Sequence, residues 1–332
     1  MNFFIGIIGC GLIGSKRYKN IGSFGKIEAV SDRNFDTAKL LIKNKKIIFY
    51  KNWREILNNK KINIVIIATY HNDLSKILIE SLKKNKNVLV EKPGAINPDD
   101  LKKAIKIAKQ KKLVVKVGYN HRYHESIIKS KELIKKNTIG ELMYIKASYG
   151  HGGRLGYEKE WRMKPKISGG GELLDQGSHL IDLAKMYLGN IVDHKSLLTT
   201  SFWKTKVDDN SFLILRFRNK KVAFLHASCS EWKNSFILEI YGKKGKIKID
   251  GKGGSYGKEK ITLYKMKNKM GKPDITNIKM KNKIDKSWKN EINDFYKDLK
   301  NKNYKNEDLT NSFETLKIIK KIYKENKYDN CS

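Results

Sequence analysis

Asp175 and His179 stand four residues apart in the segment Gly169-Gly170-Gly171-Glu172-Leu173-Leu174-Asp175-Gln176-Gly177-Ser178-His179-Leu180-Ile181-Asp182. On a helix that spacing places both on one face. A carboxylate beside an imidazole orients it and tunes its proton affinity, which makes His179 a candidate general base. Asp182 follows three residues later on nearly the same face. The plain alternative is a surface pair contributing roughly a few tenths of a kcal/mol. Three glycines feeding the helix, and only seven histidines in the chain, favour acid–base chemistry.

A second chemical group is Glu91-Lys92-Pro93, at the end of an apolar run. The chain has four prolines, so one at a strand end marks a fixed turn, open to a cis bond. Lys92 there would point at the crevice at the carboxyl edge of the sheet, where ligands bind. Taken alone, it would be one solvated lysine among 62.

The third group is Gly9-Cys10-Gly11-Leu12-Ile13-Gly14. Gly9 permits a tight turn. Gly11 lets a pyrophosphate approach the backbone at the positive end of a helix opening with Leu12 and Ile13, and Gly14 permits close helix–strand packing. Asp32 lies 18 residues after Gly14, near the spacing of a carboxylate that binds the adenosine ribose hydroxyls. An acid there favours NAD. Arg33 leaves NADP open, since it can meet a 2′-phosphate or stack on adenine.

These groups need elements to position them. Apolar runs at Phe3–Ile8, Ile27–Ser31, Ile47–Tyr50, Ile62–Thr69, Asn87–Glu91 and Leu113–Tyr119 alternate with helical patterns at Leu12–Ile21, Phe35–Lys43, Trp53–Leu57, Asp73–Lys84 and Asp99–Lys111. Continuous Val/Ile runs read as strands buried on both faces, and the alternation predicts a doubly wound parallel sheet. After Asn120 the rhythm changes. A helix at Glu125–Lys136 and a strand at Leu142–Tyr149 precede the helix at Glu172–Tyr187. Six strands follow with short connections: Ile191–Trp203, Ser211–Phe217, Lys221–Ser228, Ser235–Tyr241, Lys246–Asp250 and Lys260–Met266. Period-two alternation predicts an open, mainly antiparallel sheet in an α+β domain. Lys267–Lys286 reads as a solvated connection. Helical patterns at Ser287–Leu299 and Asp308–Tyr323 close the chain.

In this order the motifs resemble the glucose–fructose oxidoreductase / inositol dehydrogenase family (Gfo/Idh/MocA), over nearly the whole chain. The resemblance implies an NAD(P)-binding Rossmann domain at 1–121 and a substrate-binding, catalytic α+β domain at 122–332. It implies hydride transfer at a sugar or cyclitol carbon, with Lys92, Asp175 and His179 as the catalytic trio and Glu91 and Lys92 also lining the cofactor. Asn120-His121-Arg122 resembles the family's Asn-x-Arg segment at the domain junction. That sets Asn120 by the cofactor and Arg122 by the substrate. Many members carry Ala-Thr-Pro and then Asn-His after the fourth strand. This chain has Ala68-Thr69-Tyr70-His71-Asn72, and Thr69 and His71 fall to the nicotinamide side. The family also implies a homo-oligomer, with the exposed face of the second sheet able to pair.

Between the first strand of the second domain and the catalytic helix runs His151–Arg162. Its glycines give mobility, and Arg154, Tyr157, Trp161 and Arg162 supply donors and a stacking face. That suits a polyhydroxylated or anionic substrate; a surface loop anchored by its Trp is the alternative. A nucleotide sugar as substrate, transient use of the cofactor and a non-catalytic nucleotide sensor stay open.

The 332 residues carry a formal charge of +36, from 70 basic and 34 acidic residues. Only eight of the basic residues are Arg, the side chain that planar base and phosphate recognition favours. Lys, Asn and Ile, all favoured by AT-rich codons, are abundant throughout. The charge therefore reads as compositional bias, not as a nucleic-acid site. No apolar run is long enough for a membrane span. Cys10, Cys229 and Cys331 have no metal-type spacing and are odd in number, which fits a reducing cytoplasm, no disulfide framework and no metal. Phe3–Gly14 is apolar, but no Lys or Arg precedes it as in a secretory signal.

Overall fold

Four consecutive β-branched residues, Ile64–Ile67, are fully buried, as a strand covered on both faces requires. They lie at the centre of the first unit of the computed structural model, which describes residues 3–23, 25–42, 46–280, 284–328 and 331. The chain divides by its internal contacts into Met1–Tyr119 with Trp288–Lys317, and Asn120–Ser287 with Ile318–Ser332.

The first unit alternates β1 (Phe3–Ile8), α1 (Leu12–Lys19), β2 (Gly25–Ser31), α2 (Phe35–Ile42), β3 (Ile48–Tyr50), α3 (Trp53–Asn58), β4 (Ile64–Ile67), α4 (His71–Lys83), β5 (Asn87–Glu91), α5 (Pro98–Lys111) and β6 (Val115–Gly118). All six strands are parallel, in the order β3-β2-β1-β4-β5-β6. The order reverses between β1 and β4, so the loops leaving their carboxyl ends border a crevice. Helix starts are written locally. The Asn97 side chain accepts the Asp99 N–H at 2.9 Å, and Pro98 occupies the first turn of α5.

The second unit begins with a 3₁₀ turn, Asn120–Tyr123, and α6 (Glu125–Lys135). It continues through β7 (Leu142–Gly150), the short α7 (Pro165–Ser168), a π-helical turn (Leu173–Gly177) and α8 (Ser178–Leu188). Seven strands follow: β8 (Ile191–Thr199), β9 (Asn210–Phe217), β10 (Val222–Ser228), β11 (Ser235–Gly242), β12 (Gly245–Asp250), β13 (Lys260–Lys265) and β14 (Asp274–Lys279). Their sheet runs β14-β13-β12-β11-β7-β10-β9-β8, antiparallel except where β7 pairs with β10. Alternation is strict on β9: Leu213, Leu215 and Phe217 are buried, while Phe212, Ile214 and Arg216 face out. Both sheets are of the expected kinds.

Three expectations change. The first concerns the domain boundary. The division falls after Tyr119 instead of residue 121, and Trp288–Lys317 groups with the first unit. The cause is the apolar face of α9 (Ser287–Lys300). Its Ile292, Phe295, Tyr296 and Leu299 join the core of Phe3, Ile5, Ile21 and Val114. Phe3 stacks on Tyr296 at 5.3 Å, and the Tyr296 hydroxyl donates to the Ile21 carbonyl at 3.1 Å. α10 (Glu307–Glu325) gives its first part to this unit and its last part to the second. The second change is β14, an exposed edge strand inside the lysine-rich stretch expected to be a plain connection. Charged, exposed edge strands resist further pairing and leave little apolar signal. The stretch's residues 281–283 lie outside the described residues, as does Lys43 at the end of the expected α2. The third change is the π-helical turn at the start of the helix expected over Glu172–Tyr187.

Candidate active site

Backbone shape dominates the carboxyl edge of the parallel sheet. Gly9 has φ +91°, and a Cβ there would lie 2.4 Å from the Ala68 carbonyl oxygen. A Cβ on Gly14 would lie 1.9 Å from the Gly9 carbonyl oxygen, so β1 and α1 meet at a distance only glycine allows. Gly11 differs: no atom lies within 4 Å of its Cβ position. The turn is closed against the sheet and open outward. The first-turn N–H groups of α1, those of Leu12, Ile13 and Gly14, have no intrahelical acceptor, and no acid in that turn offsets their partial positive charge. Leu12 is exposed and Ile13 half-buried.

Asp32 follows β2 beside this turn. Its Oδ2 accepts the Cys10 N–H at 2.6 Å and its Oδ1 accepts the Asn34 N–H at 2.9 Å. Burial, then the Asp32 carboxylate, pushes the Cys10 thiol up to about 12, so it stays neutral. Arg33 is exposed and pairs with Asp73 at 2.8 Å. Half-buried Thr69 follows β4, and its hydroxyl donates to the Tyr70 carbonyl at 3.3 Å; buried His71 opens α4. A turn that is tight at two glycines, open at the third and followed by an acid fits a dinucleotide.

Glu91 is held in a buried ion pair. Its Oε1 accepts from Nε of Arg17 at 2.7 Å and lies 2.6 Å from Nη2. Arg17 is buried, bonds Glu291 through Nη1 and has its guanidinium 4.6 Å from the Trp288 ring centre. Burial pushes the Glu291 carboxyl up to about 7 against the pull of Arg17. The carboxylate expected at the cofactor thus ties α1 and α9 to the end of β5. Lys92 is half-buried, the Lys92–Pro93 peptide is cis, and the Pro93 carbonyl accepts from the Ser312 hydroxyl at 2.8 Å.

Side chains dominate the second unit. Asp208 is fully buried and accepts the N–H groups of Gly171 at 3.1 Å and Leu173 at 2.6 Å, and the Tyr323 hydroxyl at 2.8 Å. These bonds clamp the backbone where the π turn begins. Burial outweighs them and pushes the Asp208 carboxyl up to about 6. Beyond the clamp, Asp175 is half-buried, and its Oδ2 accepts from Nε of Arg162 at 3.0 Å. The Arg162 guanidinium lies 4.7 Å from the Trp161 ring centre.

His179 is 5% exposed and stacks on His121 with ring centres 3.8 Å apart and planes 14° from parallel. Nζ of Lys252 lies 3.2 Å from Nε2 of His121, and 4.6 and 4.3 Å from the ring centres of Tyr149 and Tyr256. Burial pushes the Tyr256 hydroxyl up to about 12 and holds that of buried Tyr149 well above its ordinary value, so both stay neutral. Arg122, expected at the substrate, is bidentate on Asp182. Its Nε donates to Oδ2 at 2.7 Å and its Nη2 to Oδ1. That pair fixes the turn carrying His121 against α8. Asn120, expected at the cofactor, donates to the Ser287 hydroxyl at 3.0 Å.

The loop residues divide. Tyr157 is buried between His151 and Trp203, with ring centres at 5.3 and 5.4 Å. Arg154 is exposed and pairs with Glu160 at 2.6 Å. His121, Tyr149, Asp208, Lys252 and Tyr256 were not singled out from the sequence. The visible signal for Lys252 was the glycine cluster around it, at 251, 253, 254 and 257.

Two family models match the chain. One, described as an oxidoreductase family with an NAD-binding Rossmann fold, covers residues 3–119; the other, the GFO/IDH/MocA C-terminal domain, covers 127–248. The chain is 25% identical over 224 residues to levoglucosan dehydrogenase of Pseudarthrobacter phenanthrenivorans, spanning 59% of this chain and little more than half, 57%, of that protein. It is 25% identical over 259 residues to myo-inositol 2-dehydrogenase of Thermotoga maritima, 74% of this chain and 75% of that one. It is 26% identical over 258 residues to 2,7-anhydro-N-acetylneuraminate hydratase of Escherichia coli, 74% and 67% respectively. A solved structure of levoglucosan dehydrogenase in complex with NADH and levoglucosan superposes with a TM-score of 0.87 at 20% identity, over 98% of both chains. At that identity the likeness is one of fold.

Proposed function

Because the chain belongs to the Gfo/Idh/MocA family of NAD-binding oxidoreductases, we propose that it transfers a hydride between NAD and a secondary alcohol of a sugar or cyclitol. His179 is the general base, with Lys92 and Asp175. The observation that carries the proposal is the buried imidazole of His179, held by a stacked second imidazole, one helical turn after an arginine-paired carboxylate. Relatives named as levoglucosan and inositol dehydrogenases support the substrate class.

The turn of Gly9, Gly11 and Gly14 would hold the pyrophosphate on the N–H groups of Leu12 and Ile13, and Asp32 would meet the adenosine ribose. The engagement of Arg33 with Asp73 favours NAD over NADP. When bound, NAD accepts or returns the hydride. His179 takes the substrate hydroxyl proton. Its burial keeps bulk water from competing for that proton. Lys92 donates a hydrogen bond to the same oxygen, an assignment resting on its motif. Asp175, braced by Arg162, accepts from a neighbouring hydroxyl. Both loop arginines already carry a carboxylate partner, Arg154 with Glu160 and Arg162 with Asp175, which favours a neutral polyol over a phosphorylated sugar.

A panel of inositols, aldoses, anhydrosugars and nucleotide sugars, scored by nicotinamide absorbance with NAD and with NADP, tests the proposal. Reduction of NAD by a neutral polyol is expected. Silence across the panel together with no NAD binding would overturn it. The hydratase relative supports a second reading, in which the cofactor turns over with no net reduction. Product formed from an anhydrosugar with no absorbance change would select it.

Phe212, Ile214 and Phe224 are exposed side by side on β9 and β10, which supports pairing of two copies through that sheet face. Light scattering coupled to gel filtration reads the assembly, and a monomer at high concentration would rule it out. No helix among the described residues is long and apolar enough to cross a membrane, and the three cysteines are free and buried. The free thiols support a reducing, cytoplasmic setting.

A further inference from the structure

We propose that Lys252 is a positioning residue for the acid–base step: acting through His121, it holds His179 as a neutral base. The inference rests on the assignment of His179 above. An ammonium group has three donors and no acceptor. At 3.2 Å from Nε2 of His121, Lys252 can only donate, so Nε2 keeps its lone pair and the His121 proton sits on Nδ1. His121 is therefore neutral, and a neutral ring is one that His179 can stack on at 3.8 Å without repulsion.

Lys252 is held in place. Gly251, Gly253 and Gly257 around it all have positive φ, the Gly253 N–H donates to the Gly257 carbonyl at 2.8 Å, and Asn234 donates to the Ser255 hydroxyl at 2.6 Å. The ring faces of Tyr149 and Tyr256 attract the ammonium and shield it from water, which strengthens its field toward the two imidazoles.

Other charged and titratable groups face the stack, and substitution at Lys252 leaves them in place. On the helix of His179 itself, Asp175 carries Arg162 and Asp182 carries Arg122. On the α6 side, His124 faces Glu259 at 2.8 Å. Glu172, before the π turn, lies 3.7 Å from His151. Tyr149 on β7 and Tyr256 on the glycine loop are neutral phenols. A lysine fixed on the partner ring then makes protonation of His179 less favourable and extends its basic form to lower pH.

The test is an NMR titration of the His179 imidazole in the full chain without substrate. The resonance is identified by its loss in His179→Gln, and wild type is compared with Lys252→Met and Lys252→Arg. In Lys252→Met the midpoint rises by roughly half to one pH unit. Lys252→Arg restores most of the shift. The acid limb of kcat/KM moves upward with the midpoint, so the loss of activity concentrates at low pH. An unchanged or lowered midpoint in a Lys252→Met protein with wild-type thermal unfolding overturns the proposal. If Lys252→Met does not fold, Lys252→Gln serves in its place under the same criterion. A shifted midpoint with no turnover on any panel substrate supports the lysine's role while the dehydrogenase reading fails.

Discussion

At the edge of the parallel sheet the chain presents backbone; along α8 it presents side chains. The glycine turn works by what it lacks. Cβ atoms are absent where strand and helix touch, and the N–H groups of the first helical turn face outward. Its polar side chains mostly hold the frame: Asp32 braces the turn, and Glu91 and Glu291 flank a buried Arg17. The histidine region is assembled from the 3₁₀ turn, β7, α8 and the glycine loop, with Asp208 clamping the entry. A site made of backbone tolerates changed side chains and fails when one is added. A site made of side chains behaves the other way round.

The largest test of that contrast is His179→Ala. Turnover falls by about 10²–10⁴-fold, the usual contribution of a general base. NAD affinity, followed by tryptophan fluorescence, stays near wild type. Coupled loss of both would mean that the two sites are not separable.

Asp208→Asn comes next. Its carboxyl titrates at about 6 in the fold against 3.8 ordinarily, so the folded chain binds this proton more tightly than the unfolded one. Stability from this group is therefore full below pH 3.8 and lost as pH rises through 6, by up to about 3 kcal/mol in all and about 2 kcal/mol between pH 4 and pH 6. Urea unfolding at both pH values shows wild type losing more over that range than Asp208→Asn. Equal losses would return Asp208 to its ordinary pKa. The same variant loosens the π turn, lowering kcat/KM for the sugar while leaving NAD affinity alone.

Gly14→Val places side-chain carbon against the Gly9 carbonyl. NAD affinity falls about tenfold or more, and stability by about 2 kcal/mol. Calorimetric binding equal to wild type would show that the turn does not set the cofactor site. The smallest effect belongs to Arg33→Ala. Its pair with Asp73 is solvent-exposed, so the NAD dissociation constant should change less than twofold. A tenfold change would move Arg33 into the adenosine site.

The same contrast explains what could be read in the sequence. Gly9, Gly11 and Gly14 act within six residues, and Asp32 at a fixed distance beyond, so spacing alone reveals the turn. The alternation of Val/Ile runs with helices, and of inward and outward residues on β9, likewise repeats over short distances. His121 and Lys252 meet across 131 residues and Asp208 reaches Tyr323 across 115, distances over which spacing carries no signal. Arg122 belongs to a motif legible in the sequence, but its partner Asp182 lies 60 residues on and engages the guanidinium. The π turn was hidden for a similar reason, because the clamp that accompanies it comes from Asp208, 35 residues after Leu173.

The placement of Trp288–Lys317 in the first unit has a consequence for the order of synthesis. The parallel sheet and its glycine turn leave the ribosome before β7–β14, but Ile292, Phe295, Tyr296 and Leu299, which finish their core, leave it after those strands. Until then Phe3, Ile21 and Val114 lack their cover. The nascent parallel-sheet unit keeps an apolar surface open until α9 arrives, and its maturation follows the synthesis of the second unit's sheet instead of preceding it.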